Sequence, residues 1–147
     1  MLIDVFKAKG TFINKIYNQN SHNSGSDKYR CYDVPYKVNN IPAWTIRIAV
    51  CTQGDPYSFQ KQWLEQATNI DKADIVVCAS MVLRETVRNI YDNAGTEYKI
   101  IWMSGFCTDD YYDEKTKAYV KNITNGLNSA TANSIINAIE QLYQIQL

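Results

Sequence analysis

The chain has 147 residues, 46% of them hydrophobic and 20% charged, which supplies enough apolar side chain for one core and excludes a disordered segment. Fifteen Lys and Arg are balanced by fifteen Asp and Glu at a pI of 6.6, which argues against a nucleic-acid binder of the basic kind. No window holds the ~18 consecutive apolar residues of a membrane span, and MLIDVFKAKG has no small-residue cleavage site, so the expectation is a single soluble cytoplasmic domain.

Residues 1–42 read as an irregular extension or as edge strands. Leu2, Ile3, Val5 and Phe6 suggest a short strand, and Phe12, Ile13, Ile16 and Tyr17 recur at helical spacing. The polar stretch 18–30 reads as a solvated loop holding the one histidine, His22, which has no partner spacing for a metal or a triad. Cys31, Tyr32, Val34, Tyr36 and Val38 suggest an extended segment, demoted to a sheet edge by Pro35, which lacks a ladder donor.

Residues 43–147 read as a βαβαβαα core. Trp44 to Cys51 is a β-branched run stopped at Thr52-Gln53-Gly54-Asp55-Pro56, with Asp55 placed to cap a helix and Pro56 to begin it. Phe59, Trp63, Ala67 and Ile70 form the stripe of that helix. Asp74 to Ala79 is a second strand, apolar after its opening acid; Ser80 caps a helix striped by Leu83, Val87, Ile90, Tyr91 and Ala94 and ended by Gly95. Lys99 to Ser104 is a third apolar strand. The remainder reads as two helices, 114–123 and 130–145, the second burying Ile135, Ile136, Ile139, Leu142 and Tyr143.

Strands that alternate with helices of about a dozen residues imply crossovers that return the chain to one end of a sheet. The fold class expected is therefore α/β, a Rossmann-like or flavodoxin-like three-layer domain with a mostly parallel sheet. In such sheets ligands bind outside the carboxyl ends of the strands. The rim then comprises Gln53 and Asp55 after the first strand, Ser80, Arg84 and Arg88 after the second, and Ser104 and Asp109 after the third. Helix N-termini there favour a phosphate or carboxylate. Glu85, one turn into the helix after Ser80, is the candidate catalytic carboxylate, against the plainer reading of Glu85, Arg88 and Asp92 as ion pairs on a solvated face.

The segment Asp71-Lys72-Ala73-Asp74-Ile75-Val76-Val77-Cys78-Ala79-Ser80, a helix bearing Glu85, and then Tyr98-Lys99-Ile100-Ile101-Trp102 together resemble the core of nucleoside 2-deoxyribosyltransferase-like and Toll/interleukin-receptor-like domains. Ser80-Met81-Val82-Leu83-Arg84 stands where the transferases have a glycine-rich approach to their glutamate. The resemblance implies a Glu85 that acts at the anomeric carbon of a nucleoside or nucleotide, as an N-glycosidic hydrolase or transferase. Sugar hydroxyls would meet Ser80, Asp55 and Asp109, and a phosphate would meet Arg84 or Arg88.

Other patterns imply less. Cys51, Cys78 and Cys107 fall near strand ends but read as core packing, as cysteine usually does. Asp109, Asp110, Asp113 and Glu114 suit a helix N-terminus better than a hard cation, Glu97-Tyr98-Lys99 lacks the context of a nuclease motif, and no phosphate-loop or dinucleotide fingerprint occurs. Neither metal nor cofactor is implied. Two further readings stand beside the enzyme: a module that binds nucleotides without turnover, and a homo-oligomer whose interface uses Phe106, Tyr111, Tyr112 and the apolar last helix.

Overall fold

The computed structural model describes residues 2–17, 28–52, 60–80, 84–103 and 117–147. The elements are α1 (Leu2–Lys9), β1 (Thr11–Tyr17), β2 (Lys28–Val38), β3 (Ile41–Cys51), α2 (Gln60–Glu65) continued by a π-helical turn (Gln66–Ile70), β4 (Ile75–Cys78), α3 (Arg84–Ala94) and α4 (Lys117–Tyr143). The strands form one sheet in the order β1-β2-β3-β4.

The molecule is an α/β protein, but its sheet is mixed. β1 pairs with β2 and β2 with β3 in antiparallel sense; only β3 and β4 run parallel, with Ile48 opposite Ile75 and Cys51 opposite Cys78. The expectation of a mostly parallel sheet is corrected here, for two physical reasons. Asn39 and Asn40 take φ of 51° and 63°, the left-handed pair of a two-residue hairpin turn that asparagine tolerates, so the chain reverses between β2 and β3. In addition, Lys99 to Met103 lies off the sheet, with Ile101, Trp102 and Met103 exposed, so no third parallel strand forms among the described residues.

Before residue 43 the described residues form α1, the edge strand β1, β2 and the start of β3. Leu2–Lys9 is a helix that buries Phe6, and Thr11–Tyr17 is a strand, the reverse of both expectations. Each segment is too short for local pattern to outweigh tertiary contact, here the packing of Phe6 on the core and the pairing of β1 with β2. Pro35 is tolerated because β1 reaches β2 only as far as Asp33, so at Pro35 the strand has β3 alone as a ladder neighbour. Gly10 lets α1 approach: a Cβ there would stand 2.9 Å from the Asp33 carbonyl oxygen and 3.0 Å from Val34 Cγ2.

Helices cover both sheet faces. On one, Tyr32, Val34, Ile46, Ile48 and Val50 pack with Phe6 of α1 and with Ile139 and Ile145. On the other, Tyr29, Cys31, Ala49 and Cys51 pack with Trp63 and Ala67 of the β3-to-β4 crossover and with Ala73. Trp63 and Ala67 hold the stripe expected of them, but Ile70 is 69% exposed. The π-helical turn explains it: Asp71 N–H bonds to the Gln66 carbonyl at 2.8 Å, one residue beyond α-helical spacing, which rotates Ile70 outward and Asp71 inward. The tail is one continuous helix across Gly126 rather than two. Leu142 and Tyr143 are exposed, because Gln144 at φ 53° turns the chain and delivers Ile145 to the core instead. Among the described residues, no helix is long and apolar enough to cross a membrane.

Candidate functional site

Parallel β3 and β4 bring two strand tips together. Ala79 N–H bonds to the Cys51 carbonyl at 2.9 Å, one step past the last paired residues, and so sets the carboxyl ends of β3 and β4 side by side. Gln60, the first residue of α2, is fully buried beneath them: its Nε2 donates to the Ala79 carbonyl at 3.0 Å and to Cys78 Sγ at 3.7 Å, and its Oε1 accepts from Asn89 Nδ2 at 3.4 Å. One carboxamide thereby joins β4, α2 and α3. A buried amide is retained where each of its groups finds a partner, since an unmatched one costs about 1–3 kcal/mol.

Ser80 stands at this rim as expected, and its Oγ donates to Thr86 Oγ1 at 3.1 Å. Thr86, in the first turn of α3, is fully buried, whereas its neighbour Glu85 is exposed. Arg88 is exposed also, and its guanidinium meets Asp92 at 3.5 Å, one helical turn on. Of the other expected site residues, Arg84 opens α3 but its side chain lies outside the described residues, as do Gln53, Asp55, Ser104 and Asp109 altogether. The hydrogen bonds therefore join Ser80 to Thr86 and Gln60 to Asn89, three of which the sequence reading did not single out, while Glu85 and Arg88 lie on the solvent-exposed side of α3. Thr86 and Asn89 sit three residues apart in a helix with Val87 and Ile90, and polar residues inside an apolar stripe are the signal that could have found them.

Cys31, Cys51 and Cys78 all lie on the α2 side of the sheet as free thiols, with Cys51 and Cys78 opposite each other across β3 and β4. Burial pushes Cys31 and Cys78 up to about 11 and raises Cys51 well above the ordinary thiol range, so all three are protonated packing groups at neutral pH. Cys107 lies outside the described residues. Among those described, no group of His, Cys, Asp and Glu could hold a metal ion.

A second polar network lies on the chain leading into β4. Arg47 grips Asp33 through Nε at 2.7 Å and Nη2 at 2.9 Å, and donates from Nη1 to the Asp71 carbonyl at 2.8 Å. The buried Asp71 carboxylate accepts from the Tyr29 hydroxyl and, at 3.0 Å, from Gln66 Nε2. Asp74 caps the start of β4 against β3, its Oδ2 accepting from Arg47 N–H at 2.7 Å. The guanidinium holds the Asp33 carboxyl below the ordinary aspartate range, and burial raises the Tyr29 phenol. These groups satisfy one another, and they fix the crossover on the sheet.

Alongside α3, the chain past Tyr98 returns over the surface. Tyr98 hydroxyl donates to the Ala73 carbonyl at 2.6 Å, and Trp102 Nε1 donates to the Tyr91 hydroxyl at 3.4 Å, with ring centroids 6.2 Å apart and planes at 47°.

The fold and rim together define an α/β protein with a four-stranded mixed sheet and one parallel strand–helix–strand unit. No protein-family model matches the chain, and neither a curated protein nor a solved structure matches it.

Proposed function

We propose that this chain is a nucleoside- or nucleotide-binding module whose ligand sits at the tips of β3 and β4 and along the start of α3. The observation that carries the reading is the parallel pairing of Cys51 with Cys78, extended by the Ala79-to-Cys51 hydrogen bond, because adjacent parallel tips leading into a helix are where α/β proteins place their ligands. The likeness of residues 71–80 and of the helix bearing Glu85 to nucleoside-processing domains supports the ligand class. Binding without turnover is favoured over N-glycosidic cleavage by the exposure of Glu85: a carboxylate in open water spends its charge on solvent, whereas stabilising a developing oxocarbenium ion calls for a dry, fixed one.

A thermal-shift screen against nucleosides, nucleotides and NAD, with chromatographic analysis of the same mixtures, tests this. A ligand at a hundred times its dissociation constant stabilises the fold by about 2.7 kcal/mol and leaves no free base. Base release by the native chain, lost in Glu85→Gln, establishes the cleavage reading instead; no shift with any of these compounds ends both.

A second reading, self-association, is favoured by one observation. The β2–β3 hairpin runs past β1 and β4, and on it Val38, Ile41 and Trp44 are exposed, Trp44 by 83%. Sedimentation equilibrium decides it: a concentration-dependent dimer that Trp44→Ser reduces to monomer supports self-association, and a monomer throughout removes it.

A further inference from the structure

We propose that the Tyr91–Trp102 pair is a stacking platform for a purine base, with the Arg88 guanidinium taking the phosphate of the same nucleotide. The inference rests on the nucleotide-binding reading and assigns the ligand's two ends within it.

Lys99 to Met103 has the composition of a buried strand, yet Ile101, Trp102 and Met103 are 57%, 51% and 46% exposed, and Tyr91 beside them is 54% exposed. Large apolar side chains gathered in water and bordered by charged ones mark a surface that meets something. The chemistry narrows the class. Trp102 rests against Tyr91, its Nε1 3.4 Å from the Tyr91 hydroxyl and the ring centroids 6.2 Å apart, so the indole has a neighbour on one side and water on the rest. A ring that is half open suits a flat partner, and every nucleobase has a π face to offer; the bicyclic purines match the indole in extent.

The anionic end follows from helix geometry. Arg88 precedes Tyr91 by three residues, so the two share one face of α3, about 4.5 Å apart along its axis. Arg88 lies toward the β3 and β4 tips. A base on Trp102 would thus direct its sugar and phosphate back along α3 toward the rim that carries Ser80 and Glu85. The Arg88–Asp92 pair, with side chains 80% and 62% exposed, does not bar a phosphate: exposed pairs of this kind are weak, and a phosphate offers the guanidinium two oxygens. Among the described side chains Arg88 is the arginine at this place, and a purine nucleoside monophosphate is the ligand that it matches.

Calorimetric titration of AMP, GMP, adenosine and inorganic phosphate into the native chain, Trp102→Ala, Tyr91→Ala and Arg88→Ala provides the test. Trp102→Ala should weaken AMP and adenosine alike by about tenfold or more. Arg88→Ala should weaken AMP and leave adenosine unchanged. All three side chains are exposed, and circular dichroism should report native folding in each variant. If the native chain binds a nucleotide and Trp102→Ala binds it equally well, the platform is wrong while nucleotide binding stands. If phosphate binds as tightly as AMP, the base makes no contact and the platform is likewise wrong. If no nucleotide binds the native chain, the underlying reading fails first.

Discussion

The Tyr29 hydroxyl of β2 donates to the buried carboxylate of Asp71, which the π-helical turn has rotated under the sheet. This contact anchors the crossover between β3 and β4 to the antiparallel half of the molecule, and Gln66 Nε2 completes it at 3.0 Å. Tyr29→Phe removes a donor from a buried acceptor and should cost about 1–3 kcal/mol. Urea denaturation measures it. Adding Asp71→Asn to Tyr29→Phe should cost less than the sum of the single changes, since the two residues serve one network.

Acid should unfold the protein partly through Asp33. Its carboxyl titrates below the ordinary range because Arg47 donates two hydrogen bonds to it. A group with a depressed folded pKa contributes stability that is present above its unfolded pKa, about 3.9, and is lost as pH falls through the folded value. Denaturation curves between pH 6 and pH 2 should therefore show the native chain losing more stability below about pH 4 than Asp33→Asn, which has nothing to titrate there.

Two glycines should respond to alanine with opposite signs. At Gly10 a Cβ would meet the Asp33 carbonyl at 2.9 Å and the Phe6 carbonyl at 3.0 Å, so Gly10→Ala forces α1 off β2 and should cost about 1–3 kcal/mol. At Gly126, within α4, a Cβ meets nothing within 4 Å, and Gly126→Ala should stabilise by about 0.5–1 kcal/mol through helix propensity. Thermal melts of both variants check the pair.

Gln60 should control how firmly α3 is seated. Gln60→Ala leaves the Ala79 carbonyl and the Asn89 amide without the partner they share. The expected result is a loss of about 1–3 kcal/mol and faster hydrogen exchange in residues 84–94, with little change in β2 and β3. Exchange that accelerates uniformly would mean that Gln60 supports the whole core rather than this junction.

The thiols should be slow. With Cys31 and Cys78 raised to about 11 by burial, alkylation at pH 8 should be far slower than for a free cysteine of pKa about 8.5. In a Cys107→Ser background, Cys78, which is half-buried, should react before Cys31 and Cys51, which are buried.

The sequence alone determined those features in which burial and local geometry agree. β3 and β4 were legible because unbroken β-branched runs suit a strand covered on both faces, and Trp63 and Ala67 because their spacing matches a helix on that sheet. The Asn39-Asn40 turn was legible in principle, as a pair that tolerates positive φ between extended runs, and it is the signal that reveals the antiparallel hairpin. Ser80 follows β4, as its place after the apolar run implies, and its hydroxyl reaches Thr86 of α3.

Tertiary structure alone decided strand polarity, the fate of Lys99 to Met103, and which residue of each turn faces inward. An apolar run records that a segment resists water but not which neighbour covers it, so the run that ends in Trp102 reads like β4 yet lies exposed along α3. One residue of π-helical register exchanged Ile70 for Asp71 on the buried face, and the turn at Gln144 exchanged Tyr143 for Ile145. Such exchanges depend on hydrogen bonds between segments distant in the chain, as between Tyr29 and Asp71, whose energy no window of neighbouring residues contains.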